Sequence, residues 1–162
     1  MKAPFSALLV ITSLLITGCA TATSSDDQSS AVCTERRVAA TEQEIASLFD
    51  RWNQSLQTGD PQKVVDNYAE RSILLPTVSN KPRLTPEEKL DYFQHFLEDQ
   101  PSGEINMRQI EIGCNMAVDS GLYTFEFSKT GTKVTARYSF TYRWDGKQWL
   151  IISHHSSAMP ER

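Results

Sequence analysis

The chain has 162 residues, enough for one domain and a targeting segment, and its 40% hydrophobic content, with 3 Trp, 5 Tyr and 7 Phe, supplies one core. Its formal net charge of −4 and its lack of basic clusters argue against nucleic acid as a partner. No C-x-x-C, H-E-x-x-H, phosphate-loop or dinucleotide-binding motif occurs in it, so we expect no cofactor.

The N-terminus predicts export. An apolar run, Ala7–Ile16, follows Lys2 and is too short to span a bilayer, which is typical of a signal peptide. The run leads into Thr-Gly-Cys-Ala, which resembles a bacterial lipoprotein signal in which Cys19 becomes the lipidated first residue. We therefore predict a signal peptide at 1–18 and a lipid-anchored, periplasm-facing envelope protein. The residue after Cys19 is Ala20 and not Asp, which favours the outer membrane. An ordinary secretory signal with a chance cysteine is the alternative.

Residues 19–40 are predicted to be the lipidated cysteine and a flexible tether, because the stretch after Cys19 is rich in Ser, Thr and Asp and has little to bury. With Cys19 set aside, Cys33 and Cys114 remain. In an exported chain such a pair is most simply a disulfide, and two unrelated buried thiols are the alternative.

Three helix starts are marked by capping residues. Thr41 with Glu44 and Thr85 with Glu88 form capping-box patterns, and Asp60 precedes a proline at a first helical position. Apolar residues follow these starts at helical spacing, which predicts three helices with one buried stripe each. The second helix is predicted to carry Val64, Val65 and Tyr68.

Strand patterns occupy most of the remaining chain. Segments 72–77, 104–113 and 117–128 predict strands, and 132–157 predicts a hairpin around the Asp-Gly turn at Asp145. In the first hairpin strand, alternate residues share one face: Val134, Ala136, Tyr138, Phe140 and Tyr142. Helices followed by antiparallel strands predict an α+β domain at 41–160, a cone in which three helices pack in a curved, mostly antiparallel sheet.

The pair His154-His155 is the clearest candidate for acid–base chemistry, since histidine titrates near neutral pH. Adjacent strand residues face opposite sides, so at most one of the two points into the cone. Histidines hydrogen-bonded within the sheet or at a dimer interface are the alternative. The adjacent pair cannot easily chelate together and the chain's only other histidine is His95, so we expect no metal site.

Arg137 shares a strand face with Ser139, and a buried arginine facing a cavity would bind a carboxylate through two hydrogen bonds. An internal ion pair with Asp119 or Glu126 is the alternative. Tyrosines could also donate hydrogen bonds into a cavity, although most are expected to be core or interface residues. The candidates are Tyr68, Tyr92, Tyr123, Tyr138 and Tyr142.

Four blocks carry a family resemblance: DYFQHFL at 91–97, GLYTFEF at 121–127, ARYSFTYRWDGKQWLI at 136–151 and HHSSAMP at 154–160. They are similar to the association domain of calcium/calmodulin-dependent protein kinase II and its bacterial stand-alone relatives, within the nuclear transport factor 2-like superfamily. SgcJ/EcaC-like and steroid delta-isomerase-like cone-fold proteins are also similar. The resemblance implies the cone fold and self-association, and without a kinase domain it implies no kinase activity in this chain.

The same resemblance implies that Ser156 lies in the pocket, which would place His154 there and His155 on the outer face. The kinase association domains line their pocket with arginines, and those positions fall here near Phe125, Ser139 and Ser156, none of which is basic. The predicted pocket residues are Tyr92, Arg137, Ser139, His154 and Ser156.

We expect an exported, lipid-anchored module that forms a homodimer and binds a small acidic or aromatic ligand without catalysis. The predicted dimer face consists of Tyr138, Phe140 and Tyr142, which need a cover if the helices pack on the other face. One alternative is a small isomerase, dehydratase or hydrolase that uses His154 as base with Arg137 or a tyrosine. Another is an envelope subunit that recognises a different protein.

Overall fold

The computed structural model describes residues 38–77 and 79–160. The helices are α1 (Glu42–Leu56), α2 (Pro61–Val65) and α3 (Pro86–Phe96), the last followed by a 3-10 turn at Leu97–Asp99. The strands are β1 (Tyr68–Leu75), β2 (Pro101–Ile112), β3 (Met116–Phe127), β4 (Thr132–Trp144) and β5 (Trp149–Ala158).

The three helix starts predicted from capping residues are confirmed. The Thr41 hydroxyl accepts from the Glu44 amide at 3.2 Å, and the Glu44 carboxylate accepts from the Thr41 amide at 2.7 Å. The same reciprocal pair occurs at the start of α3, and Asp60 caps α2. Each cap satisfies amide groups that have no partner within the helix, which fixes where the helix begins.

The strands form one sheet in the order β1-β5-β4-β3-β2, in which β1 runs parallel to β5 and the other pairs are antiparallel. With the helices on its concave face, this is the α+β cone fold that the sequence predicts. A parallel pair needs a long connection between its strands, and α3 with β2, β3 and β4 supplies one between β1 and β5.

Tyr68 lies in β1, so its predicted place in the second helix is wrong. The helix ends at Val65, and the Asn67 carbonyl accepts a hydrogen bond from the Ile151 amide at 2.9 Å. Pairing with β5 therefore decides the conformation where the local pattern allowed either state. The strand predicted at 72–77 accordingly runs from Tyr68 to Leu75.

The concave face of the sheet holds the core. Phe49 and Trp52 of α1 pack on Phe140 of β4, with ring centroids 6.2 and 5.5 Å apart. Tyr138, Phe140 and Tyr142 are only 3%, 0% and 0% exposed in the single chain, so the prediction that they form a dimer face is wrong. Strand alternation identifies two faces, but it does not tell which of them the helices cover.

A bulge between Ile105 and Met107 shifts the register of β2 against β3. Opposite it lies Gly121, where an added Cβ would fall 1.9 Å from the Met107 carbonyl oxygen. Only glycine leaves room for this close approach, and such a bulge bends the strand it interrupts. This bend contributes to the curvature with which the sheet wraps around α1.

The predicted signal peptide, Cys19 and Cys33 lie outside the described residues, so the predictions about them remain predictions. Cys114 lies in the connection between β2 and β3, where its carbonyl accepts from the Val38 amide at 2.8 Å. No helix within the described ranges is long and apolar enough to cross a membrane.

Candidate functional site

A cavity of about 80 Å³ lies between the helices and the concave face of the sheet. Its wall is mostly apolar and aromatic. The apolar lining residues are Trp52, Leu74, Pro76, Phe93, Phe96, Phe125, Phe127, Val134 and Ala136, and the polar ones are Thr77, Tyr92, Tyr123, His154 and Ser156. A concave apolar pocket with a few converging polar groups is the usual form of a small-molecule site.

Three hydroxyl groups from separate parts of the chain meet in this cavity. Ser156 of β5 accepts a hydrogen bond from the Tyr123 hydroxyl of β3 and shares another with the Thr77 hydroxyl, which follows β1. Burial raises the pKa of Tyr123 to about 12, so its phenol is protonated at neutral pH. We call Thr77, Tyr123 and Ser156 the hydroxyl cluster.

His154 lies beside the hydroxyl cluster with one ring nitrogen unused. Its Nδ1 is 2.8 Å from the Tyr68 hydroxyl, while its buried Nε2 has no hydrogen-bond partner. The ring stacks on Phe140 at 4.0 Å between centroids and meets Trp52 edge-on at 5.3 Å. Burial, with a smaller contribution from His155, lowers the pKa of His154 to about 3, so the imidazole is neutral near pH 7.

The described residues that line the cavity include no Asp, Glu, Lys or Arg. Its polar groups are neutral hydroxyls and a neutral imidazole. Such groups can donate hydrogen bonds to ligand oxygen atoms, and the aromatic wall can hold an apolar body. No group of three or more metal-ligating side chains occurs within the described ranges.

Of the predicted pocket residues, the structure places Tyr92, His154 and Ser156 in the cavity wall. Arg137 and Ser139 do not belong there, and their predicted pocket role is wrong. They lie on the outer face of the sheet with His155 and Ser157, because Ser139 pairs directly with His155. The Arg137 guanidinium donates to the Ala158 carbonyl at 3.1 Å.

Sequence reasoning missed Thr77 and Trp52 as cavity residues. Leu74 pairs with His154 across the parallel β1–β5 ladder, so the chain after β1 passes close to Ser156. The sequence contains no local signal for this pairing, since the partners are about 80 residues apart. Trp52 falls on the predicted apolar stripe of α1 and resembles any core residue.

A second polar cluster lies deeper in the fold, on the other side of Phe140. Asp119 of β3 is fully buried and forms an ion pair with Arg108 of β2, whose Nη2 is 3.0 Å from Oδ2. The Tyr138 hydroxyl donates to Oδ1 of Asp119 at 2.8 Å. Burial raises the pKa of Asp119, and hydrogen bonds and charge from Tyr138 and Arg108 oppose this effect. We call Arg108, Asp119 and Tyr138 the ionic cluster.

The suggested pairing of Arg137 with Asp119 or Glu126 is therefore wrong. Asp119 pairs with Arg108, and Glu126 pairs with Lys133 at 2.9 Å on the outer face. The β2 bulge brings Arg108 to the inner face, and an alternation count that ignores the bulge does not show this.

Comparison with known proteins identifies the family. Residues 41–160 match the family described as calcium/calmodulin dependent protein kinase II association domain. A solved structure of such a domain from Xanthomonas campestris is 46% identical, with 79% of this chain and 97% of that chain covered and a TM-score of 0.73. No curated protein sequence matches the chain.

More distant solved structures share the fold. An NTF2-like protein of unknown function from Pseudomonas putida KT2440 is 18% identical, with 74% of this chain and 87% of that chain covered and a TM-score of 0.65. A cyanobacterial iota-carbonic anhydrase, solved with bicarbonate, is 21% identical, with 79% and 98% covered and a TM-score of 0.68. Together with the match over most of its length, these similarities show that the chain belongs to the calcium/calmodulin-dependent protein kinase II association domain family and has the NTF2-like fold.

Proposed function

We propose that the cavity is a reaction site for a small oxygen-rich molecule, and that the protein interconverts carbon dioxide and bicarbonate. The observation that carries this proposal is the hydroxyl cluster beside His154 in an otherwise apolar, uncharged cavity. This is a dehydratase-type reaction, one of those considered from the sequence. The cyanobacterial neighbour of the same fold is a carbonic anhydrase that was solved with bicarbonate, which makes this chemistry the first one to test.

The two parts of the wall suit the two forms of the substrate. Carbon dioxide carries no net charge, so it can rest against Trp52, Phe93 and Phe125 at little desolvation cost. Hydration adds a water oxygen to the carbon, places a negative charge on the former carbon dioxide oxygens and releases one proton to solvent. The Ser156 hydroxyl can donate to that developing charge, and the hydrogen bond that it accepts from Tyr123 holds it in place before the reaction.

His154 is assigned a binding role in place of the general-base role suggested by the sequence. With its pKa lowered to about 3 by burial, it is a weak proton acceptor near pH 7. Its Nδ1 is held by Tyr68 and its buried Nε2 has no partner, so we assign Nε2 to the ligand. The neutral ring therefore orients the ligand without taking up its proton.

The direct test is carbon dioxide hydration by the purified protein, followed in a stopped-flow instrument with a pH indicator. Ser156→Ala and Tyr123→Phe are each expected to lower kcat/KM by at least about tenfold, because the first removes the donor to the reacting oxygens and the second removes the hydrogen bond that holds this donor. Ser157→Ala is the matched control, since it removes a hydroxyl from the next residue on the outer face. A wild-type rate equal to that of buffer alone would refute the catalytic proposal.

Self-association is the second proposed property, and membership of an association-domain family favours it. In the single chain no described element covers the outer face of β3, β4 and β5, where Met116 and Val118 are 37% and 36% exposed. We therefore move the proposed homodimer interface from the buried Tyr138 face to this outer face. Such a dimer leaves the cavity open, because the cavity lies on the opposite side of the sheet.

Analytical ultracentrifugation at micromolar concentration tests the dimer. Val118→Asp is expected to shift the protein to monomer by placing a charge in the interface. Leu84→Asp is the matched control, because Leu84 is 56% exposed and precedes α3, away from that face. A monomeric wild type would contradict the proposal.

We also propose that the domain is exported and anchored to the envelope through Cys19. The apolar run Ala7–Ile16 and the Thr-Gly-Cys-Ala sequence after it support this. Palmitate labelling of expressing bacteria should mark the wild type and should be lost in Cys19→Ser. Labelling that persists in Cys19→Ser would show that the lipid, if present, is attached elsewhere.

A further inference from the structure

Lys89 on α3 is buried completely, which is unusual for a lysine. Its Nζ donates to the Ser72 carbonyl at 2.9 Å and to the Thr85 carbonyl at 3.4 Å. Within the described ranges no carboxylate lies at ion-pair distance from it. The ammonium is thus held in place by neutral acceptors alone.

The two hydrogen bonds that Lys89 donates do not by themselves require a buried positive charge. Burial lowers the pKa of Lys89 and disfavours its charged form, although Glu87 and Glu88 act in the opposite direction. Lys89 also lies near the N-terminus of α3, where the helix dipole favours negative charge. An unbranched apolar side chain would avoid these costs but would remove the donor to the Ser72 carbonyl, so Lys89 combines a structural hydrogen bond with a buried positive charge.

Tyr68 connects Lys89 with the cavity. Lys89 Nζ lies 5.9 Å from the centroid of the Tyr68 ring, in cation–π contact, and the Tyr68 hydroxyl is 2.8 Å from Nδ1 of His154. A cation on the ring face draws electron density from the phenol and strengthens its O–H as a donor. With Tyr68 donating to Nδ1, the neutral imidazole carries its proton on Nε2, the buried nitrogen that has no partner, in a ring that belongs to the cavity wall.

The cavity needs such a charge if its ligand is an anion. Its described lining residues carry no formal charge, and an anion transferred from water into an apolar cavity loses hydration. Arg83, the other cation near the cavity, stacks over Tyr92 at 5.6 Å and is partly exposed, so solvent weakens its field. Lys89 is fully buried, where its field is screened less.

We propose that Lys89 is a specificity-determining residue whose buried ammonium, acting through Tyr68 and His154, gives the uncharged cavity a preference for anions over neutral molecules of similar shape. This inference rests on the proposed function in taking bicarbonate as the anion. It goes further in assigning the selectivity of the site to a residue that does not touch the ligand. Lys89 is accordingly a positioning residue and not a catalytic one.

The first experiment needs no ligand. Ser156→Cys introduces a thiol into the cavity, and ionisation of this thiol creates an anion there. The apparent pKa of the thiol is measured from the pH dependence of its alkylation. Mass spectrometry of the peptide that contains residue 156 separates this reaction from that of other cysteines. Adding Lys89→Met should raise this pKa by about one unit, a tenfold shift in ionisation. Adding Lys81→Met should not change it, because Lys81 is exposed and pairs with Glu88 at 3.0 Å. An unchanged thiol pKa in the Lys89→Met background would overturn the inference.

The second experiment uses nitrate, a planar anion shaped like bicarbonate that cannot react. Nitrate binding to the full chain is followed by the NMR shifts of the His154 ring and the Trp52 indole. Lys89→Met is expected to weaken the affinity for nitrate about tenfold, and Lys81→Met is expected to leave it unchanged. If wild type binds nitrate and hydrates carbon dioxide but Lys89→Met changes neither binding nor the thiol pKa, the proposed function stands and the inference falls. If wild type binds nitrate in a Lys89-dependent way but does not hydrate carbon dioxide, the proposed function falls and the inference stands.

Discussion

The hydroxyl cluster with His154 and the ionic cluster are both buried polar groups on the concave face of one sheet, yet they differ in charge and in whether they line the cavity. In the ionic cluster, Asp119 accepts from both Arg108 and Tyr138, and the charges compensate each other. Beside the hydroxyl cluster, His154 keeps a free Nε2 and faces an open cavity. A closed polar cluster stabilises the fold, whereas an open one is available to a ligand.

The largest effect is expected from breaking the closed cluster. Arg108→Leu leaves Asp119 buried without a cation and should lower the free energy of unfolding at pH 7 by about 3–5 kcal/mol. Because burial raises the pKa of Asp119, protonation relieves the penalty, so the loss should shrink as the pH falls through that pKa. Urea unfolding of wild type and variant at pH 7 and pH 4 measures both. An equal loss at the two pH values would contradict an ionised Asp119 in the folded protein.

The next effect is expected at the open cluster, where a falling pH lowers the stability of the wild type itself. Burial lowers the pKa of His154 in the folded protein from its ordinary value of 6.5 to about 3. Between these two pH values the unfolded chain therefore binds the proton more readily than the folded protein does. The stability that the neutral ring contributes is complete above pH 6.5 and decreases toward pH 3, by at most about 1.4 kcal/mol per pH unit. His154→Gln should remove this part of the pH slope, and His155→Gln on the outer face should retain it. Parallel curves for wild type and His154→Gln would show that His154 is not buried as a neutral ring.

The smallest expected effect on stability compares one hydroxyl from each cluster. Tyr138→Phe removes a hydrogen bond to a buried carboxylate and should cost about 2 kcal/mol, while Tyr123→Phe removes a neutral hydrogen bond and should cost about 1 kcal/mol. Carbon dioxide hydration should rank them in reverse, since Tyr123 lines the cavity and Tyr138 does not. The comparison fails if Tyr138→Phe reduces activity as strongly as Tyr123→Phe does.

Much of the fold could be predicted from local chemistry. Capping boxes at Thr41 and Thr85 locate two helix starts, and Asp145 accepts from the Lys147 and Gln148 amides in the predicted hairpin turn. Alternation in β4 separates its two faces correctly. Of the site, the family resemblance placed Ser156, and with it His154, in the pocket, because residues two apart on a strand share a face.

The rest of the site depends on contacts between distant segments. Whether Tyr138 or Arg137 faces the helices is decided by the packing of Phe49 and Trp52, and both faces of β4 satisfy the same sequence pattern. The β2 bulge brings Arg108 to Asp119, and a count of alternating residues does not reveal it. Sequence reasoning gave Lys89 no role, since its place near a helix start suggests solvent exposure.

By itself, the sequence determined where the elements begin, which residues alternate and that His154 and His155 face opposite ways, because these properties depend on neighbours along the chain. The tertiary structure alone decided that β1 joins β5, which brings Tyr68 to His154 and Thr77 to Ser156. It also decided which polar groups find partners: Asp119 meets Arg108, while Nε2 of His154 is buried without one. Burial then sets the pKa of each group, and burial is a property of the whole fold.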